Sequence, residues 1–317
     1  MAAQSTVPAF TPGFSRLVNV EESFPSDGSL AIERARYYSA ELESGHIVLF
    51  PKSPNLIPKE DIDWLLGRKQ STSNYHKNIA YRPAEDRITG LDASEQQSTD
   101  DLRRILACFS SRCAEFLSHF LSPYAGKWNL DYASFRPIEE KGRAARLRAR
   151  NDLLHFDSFP TRPTNGSRIL RFFVNINPAE SRVWLTSQTF EAFGPRFARA
   201  GNLLASVGGN AFTRGLRSVT RTLKLPFGRR PPYDEFMYRC HNAMKEDARF
   251  QEDTPKCRWE FPPGSAWMVF TDCVSHAVLA GQYALEQTFL IPQSALVKPE
   301  CSPLSVLEKI AGHALTV

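Results

Sequence analysis

Apolar residues recur at helical spacing in the part of the chain that precedes Tyr124. One such stretch runs over 29–44 and a longer one over 98–120, and each repeats its apolar positions every three or four residues. This period is typical of helices that bury one face. Gly45 follows the first stretch at the place where a helix commonly ends. We therefore predict helices over 29–44 and 98–120, with a shorter one over 59–66.

Beyond Tyr124 the helical pattern gives way to short apolar segments separated by Pro, Gly or Asn. Such segments are typical of antiparallel sandwiches and barrels. With the buried segment 46–50, the predicted strands are 131–136, 146–150, 153–156, 168–176, 182–186, 265–271, 274–279 and 285–291.

A helix-and-loop pattern over about 190–256 interrupts the predicted strands. We therefore predict a mainly β fold with flanking helices and a helical insertion. One domain is expected over 29–317, preceded by a flexible lead-in over 1–28 that is rich in Pro, Ser and Gly.

Composition narrows the class of protein. The 317 residues are 42% hydrophobic and 23% charged, which excludes a wholly disordered chain. A net charge of +5 is too small for a dedicated nucleic-acid binder. The six cysteines include no CxxC pair, so we expect reduced, mostly buried thiols. With no signal-like start and no apolar run of membrane-spanning length, a cytoplasmic protein is expected.

His155-Phe-Asp157 is the first candidate for chemistry. Alternation along a strand places His155 and Asp157 on the same face, where both side chains can reach one metal ion. His276, on a predicted later strand, would complete a set of two histidines and one carboxylate. That set leaves coordination positions open for oxygen chemistry on Fe(II). The other histidines, His241 among them, are interpreted as structural.

These motifs resemble the Fe(II)/2-oxoglutarate-dependent dioxygenases. The resemblance rests on His155-x-Asp157, on Asn175-Ile-Asn-Pro178 and on PGSAWMVFTDCVSHAV, which ends just after His276. It implies a double-stranded β-helix, or jelly roll, with Fe(II) on the three residues and 2-oxoglutarate and O2 as cosubstrates. LLHFDSFPTRPTNGSRILRFFVNINP and PYDEFMYRCHNAMK look more narrowly like the Kdo 3-hydroxylases of Gram-negative bacteria. This implies hydroxylation of 3-deoxy-D-manno-oct-2-ulosonic acid (Kdo) at C3, giving the Ko sugar of the lipopolysaccharide inner core.

The anchor for 2-oxoglutarate departs from the common pattern of the superfamily. Many members carry an Arg about ten residues after the second His, but here that strand contains neither Arg nor Lys. A buried carboxylate needs a cationic partner. We predict Arg171 in that role, with Arg168 as the alternate, and Glu286 or Gln287 orienting the arginine or the ketoacid.

Two basic segments suit an anionic substrate. Arg146, Arg148 and Arg150 alternate directly before the metal motif and, with Arg162, are candidates to bind the Kdo carboxylate or a lipid phosphate. The alternative for the first three is a charged edge strand. The second segment includes Arg214, Arg217 and Arg221 beside apolar positions. It fits an anionic membrane surface, such as the inner face of the inner membrane, or an amphipathic lid helix.

Other classes of function remain open on the sequence. One alternative is a 2-oxoglutarate-dependent hydroxylase of a protein or another anionic substrate. The other is a jelly-roll binding module without catalytic activity.

Overall fold

The structure is a computed structural model that describes residues 12–21, 28–67, 78–90, 96–199 and 230–316. None of the helices in these ranges combines the length and hydropathy that a membrane span requires. The strands are β1 (Leu17–Asn19), β2 (Ile47–Phe50), β3 (Ile79–Arg82), β4 (Arg87–Thr89), β5 (Asn129–Arg136), β6 (Arg168–Asn175), β7 (Arg182–Thr189), β8 (Cys257–Phe261), β9 (Ala266–Phe270), β10 (Val274–Ala280) and β11 (Ala284–Ile291). The helices are α1 (Ile32–Glu43), α2 (Lys59–Gly67), α3 (Gln96–Phe120), α4 (Phe190–Arg199), α5 (Pro232–Glu246), α6 (Ala248–Asp253) and α7 (Pro303–Ala311).

Two sheets face each other. The larger has the order β1-β2-β9-β6-β11-β5-β3-β4, and the smaller has the order β10-β7-β8. All pairs are antiparallel except β1 with β2. Trp184 of the small sheet joins the two, since its ring lies 5.1 Å from that of Phe173 and 5.7 Å from that of Trp267 on the large sheet. This is the predicted jelly roll, and the fold class is confirmed.

Helices cover the outer face of the large sheet. The rings of Phe116 and Phe120 on α3 pack against Phe50 of β2, and Phe116 also contacts Phe172 of β6. Strand β9 is buried along its whole length because helices cover one face and the small sheet covers the other.

Most of the predicted elements are confirmed, and three expectations are wrong. Segment 146–150 is not a strand, since Leu147–Ala149 forms one turn of 3-10 helix. Segment 153–156 makes only an isolated bridge, at His155. Part of the predicted flexible lead-in is a strand, because Leu17–Asn19 pairs with Ile47–Leu49.

The end of α1 at Gly45 and the free cysteines both agree with the predictions from the sequence. Gly45 has a φ of +83°, and a Cβ there would meet Thr189 Cγ2 at 2.6 Å, so glycine is required where α1 ends. All six cysteines are free, and four of them are buried.

Candidate metal centre

His155, Asp157 and His276 converge at one end of the space between the sheets. His155 and His276 face each other across an antiparallel bridge. Asp157 Oδ1 lies 3.6 Å from His155 Nε2 and 4.0 Å from His276 Nε2. One ligand atom from each residue lies within 4.8 Å of the other two, so a single cation can contact all three.

Backbone carbonyls orient both imidazole rings. His155 Nδ1 lies 2.7 Å from the carbonyl oxygen of Leu153, and His276 Nδ1 lies 2.8 Å from that of Val274. These partners assign the proton to Nδ1, which donates to the carbonyl oxygen. Each Nε2 therefore presents its lone pair to the centre, as metal-binding histidines require.

Burial and charge place the three residues in their metal-binding protonation states. Burial lowers the pKa of His276 and holds that of His155 well below its usual range. Burial raises the pKa of Asp157, but the Arg171 guanidinium and the histidines outweigh it and hold that pKa well below the ordinary value. Two neutral imidazoles and one carboxylate result, and this donor set fits Fe(II).

Arg171 links the centre to a network on the inner face of the large sheet. Its Nη2 lies 2.8 Å from Asp157 Oδ2, and its Nη1 donates to Glu286 Oε1. Arg136 donates to the other oxygen of Glu286, with Nε at 2.8 Å, and Thr288 Oγ1 donates to Oε1 at 2.9 Å. Burial raises the pKa of Glu286, but the two arginines outweigh it and lower that pKa to about 2. The predicted contact of Glu286 with Arg171 is therefore confirmed.

A pocket of about 160 Å³ opens beside the three ligands. The Trp184 ring forms part of its wall and stacks on His276 at 5.2 Å. Three arginines, Arg136, Arg171 and Arg182, also line the pocket. The lining residues are Asn78, Arg136, Asn151, His155, Asp157, Arg171, Phe173, Arg182, Trp184, His276 and Val278.

Arg171 is the one cosubstrate candidate among Arg168, Arg171 and Gln287 that lines this pocket. Arg168 is separated from Arg171 by three positions on β6, which puts the two side chains on opposite faces of the sheet. It is fully buried, with Nε 2.8 Å from Asp272 Oδ2. Gln287 alternates with Glu286 on β11 and donates to the carbonyl oxygens of Asp131 and Thr288 at 3.0 and 2.8 Å.

The four candidate substrate arginines do not share one face. Arg148 Nε lies 2.6 Å from Glu246 Oε1, and Arg150 Nη2 lies 2.6 Å from Asp152 Oδ2. Arg146 is exposed. Arg162 forms an ion pair with Asp131, and its guanidinium lies 3.8 Å from the centroid of the Tyr132 ring. The predicted alternation fails because this stretch has no partner strand, and two of the charges are balanced locally. Arg214, Arg217 and Arg221 lie outside the described residues.

Three residues near the centre had no functional role assigned in the sequence analysis, which interpreted His241 as structural. Arg136 ends a predicted strand, but only the strand order shows that it meets Glu286. Arg182 is fully buried, donates to the carbonyl oxygen of Gly281 at 3.0 Å, and has its pKa lowered to about 10 by burial and by Arg136. His241 lies on α5, 4.9 Å from His155 between ring centroids, and no local signal distinguishes it from a surface histidine.

Comparison with known proteins agrees with this geometry. The sequence model of the 3-deoxy-D-manno-oct-2-ulosonic acid (Kdo) hydroxylase family matches residues 27–314. The chain is similar to the apo structure of the Kdo hydroxylase KdoO, a non-heme Fe(II) α-ketoglutarate-dependent dioxygenase, with 32% identity over 95% of this chain and 97% of that one and a TM-score of 0.77.

Two ligand complexes of KdoO give the same likeness. Those with succinate and Fe(III) and with α-ketoglutarate and Fe(III) match at 31% identity over the same shares of both chains, with TM-scores of 0.77 and 0.76. No curated protein matches the sequence.

Proposed function

The chain belongs to the Kdo hydroxylase family, and from this premise we propose that it hydroxylates carbon 3 of Kdo while the sugar is attached to lipid A. It is an Fe(II)- and 2-oxoglutarate-dependent dioxygenase. The observation that carries the proposal is the convergence of His155, Asp157 and His276 beside an arginine-lined pocket.

Each group of the centre has a defined part in the reaction. Iron bound by the three residues supplies oxidation of a C–H bond, coupled to the decarboxylation of 2-oxoglutarate to succinate. The carbonyl oxygens of Leu153 and Val274 fix the two imidazoles with Nε2 inward. Arg171 holds Asp157 Oδ2 and so leaves Oδ1 directed at the histidines. Burial between the sheets excludes bulk water from these polar contacts.

Arg171 is our proposed partner for a carboxylate of 2-oxoglutarate. Its position in the lining of the pocket supports this role. Glu286 also keeps Arg136 as a hydrogen-bond partner when Arg171 turns towards a ligand. Arg168 and Gln287 remain the alternates, although their side chains lie on the other face of the large sheet.

Replacing Arg171 by Ala tests this assignment. We expect at least about tenfold weaker binding of 2-oxoglutarate, because a charge-assisted hydrogen bond of about 1.5–3 kcal/mol is lost. Binding is measured without oxygen, from the absorption of the Fe(II) protein as 2-oxoglutarate is added. Arg258→Ala, on the exposed edge strand β8, is the control. Wild-type affinity in the Arg171 variant would remove the residue from this role.

Four arginines on either side of the metal motif suit the anionic groups of the substrate. Kdo carries a carboxylate, and lipid A carries phosphates, so we propose that Arg146, Arg148, Arg150 and Arg162 bind these anions. Asn151, adjacent to Arg150, lines the pocket and supports this position for them. We further propose a peripheral contact of Arg214, Arg217 and Arg221 with the cytoplasmic face of the inner membrane.

Isotopic labelling tests the position of hydroxylation. Kdo-lipid A that carries two deuterium atoms at carbon 3 of Kdo is incubated with the protein, Fe(II), 2-oxoglutarate and air. Mass spectrometry of the released sugar should show one deuterium replaced by hydroxyl. A hydroxylated product that retains both deuterium atoms would contradict carbon 3, and activity on free Kdo alone would contradict the lipid-linked substrate.

A further inference from the structure

Two side chains of the helical insertion take the place of a neighbouring strand beside the metal-binding segment 153–157. We propose that Gln251 of α6 and His241 of α5 are positioning residues, which fix the spacing and orientation of His155 and Asp157 from outside the jelly roll. The proposal rests on the function proposed above, in that it assigns a metal to those ligands.

Strand β10 and the turn after β9 hold the inner edge of this segment through backbone hydrogen bonds. His155 N donates to His276 O at 3.1 Å and His276 N donates to His155 O at 3.0 Å. Asp157 N donates to Thr271 O at 2.8 Å. In an extended segment the residues between these, Leu154 and Phe156, present their backbone groups to the opposite edge. Both of these residues are buried, so those groups need partners within the protein.

Gln251 supplies the partners for Leu154. Its Oε1 accepts from Leu154 N at 2.9 Å, and its Nε2 donates to Leu154 O at 2.9 Å. The side-chain amide thus pairs with both backbone groups of one residue, as a peptide of an adjacent strand would. Nε2 also donates to Met244 O at 2.8 Å, which ties α5 and α6 together at this point.

His241 supplies the partner for Phe156. Its Nδ1 lies 2.7 Å from Phe156 O, the carbonyl of the residue between the two metal ligands. The His241 ring also meets His155 edge to face, at 75° between the ring planes. The same side chain therefore contacts one ligand and holds the peptide that leads to the next.

The arrangement explains how a segment with only one bridge pair can present two ligands in a fixed geometry. Without Gln251 and His241, the outer edge of 153–157 would be an unpaired strand edge. The two ligands would then be ordered only when the metal binds. Groups that support metal ligands in this way typically contribute about 10–100-fold to metal affinity.

Cobalt(II) binding to the purified full-length protein tests the proposal in the absence of Kdo and 2-oxoglutarate. Gln251→Met and His241→Phe remove the polar contacts at similar volume, and Glu252→Met is the matched control on the exposed side of α6. We expect the first two to bind Co(II) at least about tenfold more weakly, with altered ligand-field absorption. His241→Asn keeps a donor near the position of Nδ1 and should recover most of the affinity.

Amide exchange in the metal-free protein provides the second readout. The Leu154 amide should exchange slowly in the wild type and fast in Gln251→Met. Wild-type Co(II) affinity in both folded variants would overturn the proposal, even if their melting temperatures fell. Should Gln251→Met not fold, His241→Phe and His241→Asn decide the matter, and equal affinity of these two would overturn it. None of these results depends on whether the enzyme hydroxylates Kdo.

Discussion

At the scale of single residues, Glu286 connects the metal centre to the large sheet. It accepts hydrogen bonds from Arg136, Arg171 and Thr288, and its side chain is almost fully buried. The sequence places it on a strand and suggests a contact with Arg171. Arg171 and Arg136 are both distant from Glu286 in sequence, and they meet it through the pairing of β11 with β6 and with β5. The contact with Arg171 was inferred from the proposed role of that arginine, whereas no pattern in the sequence indicates the contact with Arg136. Side chains that meet across strands follow from topology and not from local pattern.

Glu286→Gln should lower the free energy of unfolding by about 3–5 kcal/mol, because it leaves buried guanidinium groups without their carboxylate. Urea denaturation measures the change. Glu260→Gln, which alters an exposed ion pair with Arg258, is the control and should cost no more than about 1 kcal/mol. Equal stability of the two variants would contradict the buried network.

The difference in unfolding free energy between the wild type and Glu286→Gln should depend on pH. The pKa of Glu286 is lowered to about 2 in the folded protein, against about 4.3 for an unperturbed glutamate. Because the folded-state pKa is lowered, the stabilisation is present in full above about pH 4.3 and is lost as the pH falls towards about 2. The difference in unfolding free energy between wild type and Glu286→Gln should therefore shrink in that window. A difference that stays constant down to about pH 2 would contradict the lowered pKa.

Variants of Arg168 test whether this residue stabilises the fold or binds 2-oxoglutarate. Within the described part of the chain it forms an ion pair with Asp272 alone, on the face of the sheet opposite Arg171. Arg168→Leu should cost about 3–5 kcal/mol of unfolding free energy, and Arg168→Leu combined with Asp272→Leu should recover most of it. Measured in the folded double variant, 2-oxoglutarate affinity should match the wild type. Weaker binding there would instead support Arg168 as the anchor.

At the scale of elements, the sequence predicts secondary structure best where the periodic pattern of apolar residues is long and the element buries only one face. Helix α3 was predicted from its apolar positions and packs them on the large sheet. The prediction of a strand over 146–150 is wrong because the arginines there alternate with the period of a strand, but the segment has no apolar face to bury. Strand β8 (Cys257–Phe261) was not predicted, although its residues alternate between buried and exposed. It lies between the predicted insertion over about 190–256 and the predicted strand 265–271.

Phe120→Ala tests the packing of α3. The ring stacks on Tyr38 and Phe116, and it is fully buried, so its removal should cost about 3–5 kcal/mol of unfolding free energy. Ser111→Ala, on the exposed side of the same helix, is the control and should stay within about 0.5 kcal/mol of the wild type. Co(II) affinity of the folded Phe120 variant should be unchanged. A loss of metal affinity would mean that α3 also shapes the centre.

At the scale of the whole molecule, the metal joins parts of the chain that are far apart in sequence. His155 and Asp157 precede the insertion, and His276 follows it. The sequence predicts these three ligands because His155 and Asp157 alternate along one segment and because the segment that contains His276 resembles the second motif of the dioxygenases. The sequence does not indicate that helices of the insertion position the ligands, because Gln251 and His241 contact backbone groups of Leu154 and Phe156, which leave no pattern in the sequence.

Metal binding should therefore stabilise the whole fold. Co(II) at a free concentration of 100 times its dissociation constant should add about 2.7 kcal/mol to the free energy of unfolding. Thermal or urea denaturation with and without metal measures this gain. His155→Ala should show none of it, whereas His313→Ala, at a half-buried histidine just after α7, should show all of it. The same gain in the His155 variant would place the metal elsewhere.

We propose that this chain oxidises Kdo at the His155–Asp157–His276 centre. The most direct test is mass spectrometry of Kdo-lipid A after incubation with the protein, Fe(II), 2-oxoglutarate and isotopically heavy O2. We expect a product that carries one heavy oxygen atom on Kdo, together with an equal amount of succinate, and no product with His155→Ala or without oxygen. Succinate formed without hydroxylated Kdo would contradict the substrate, and the absence of both would contradict the enzyme.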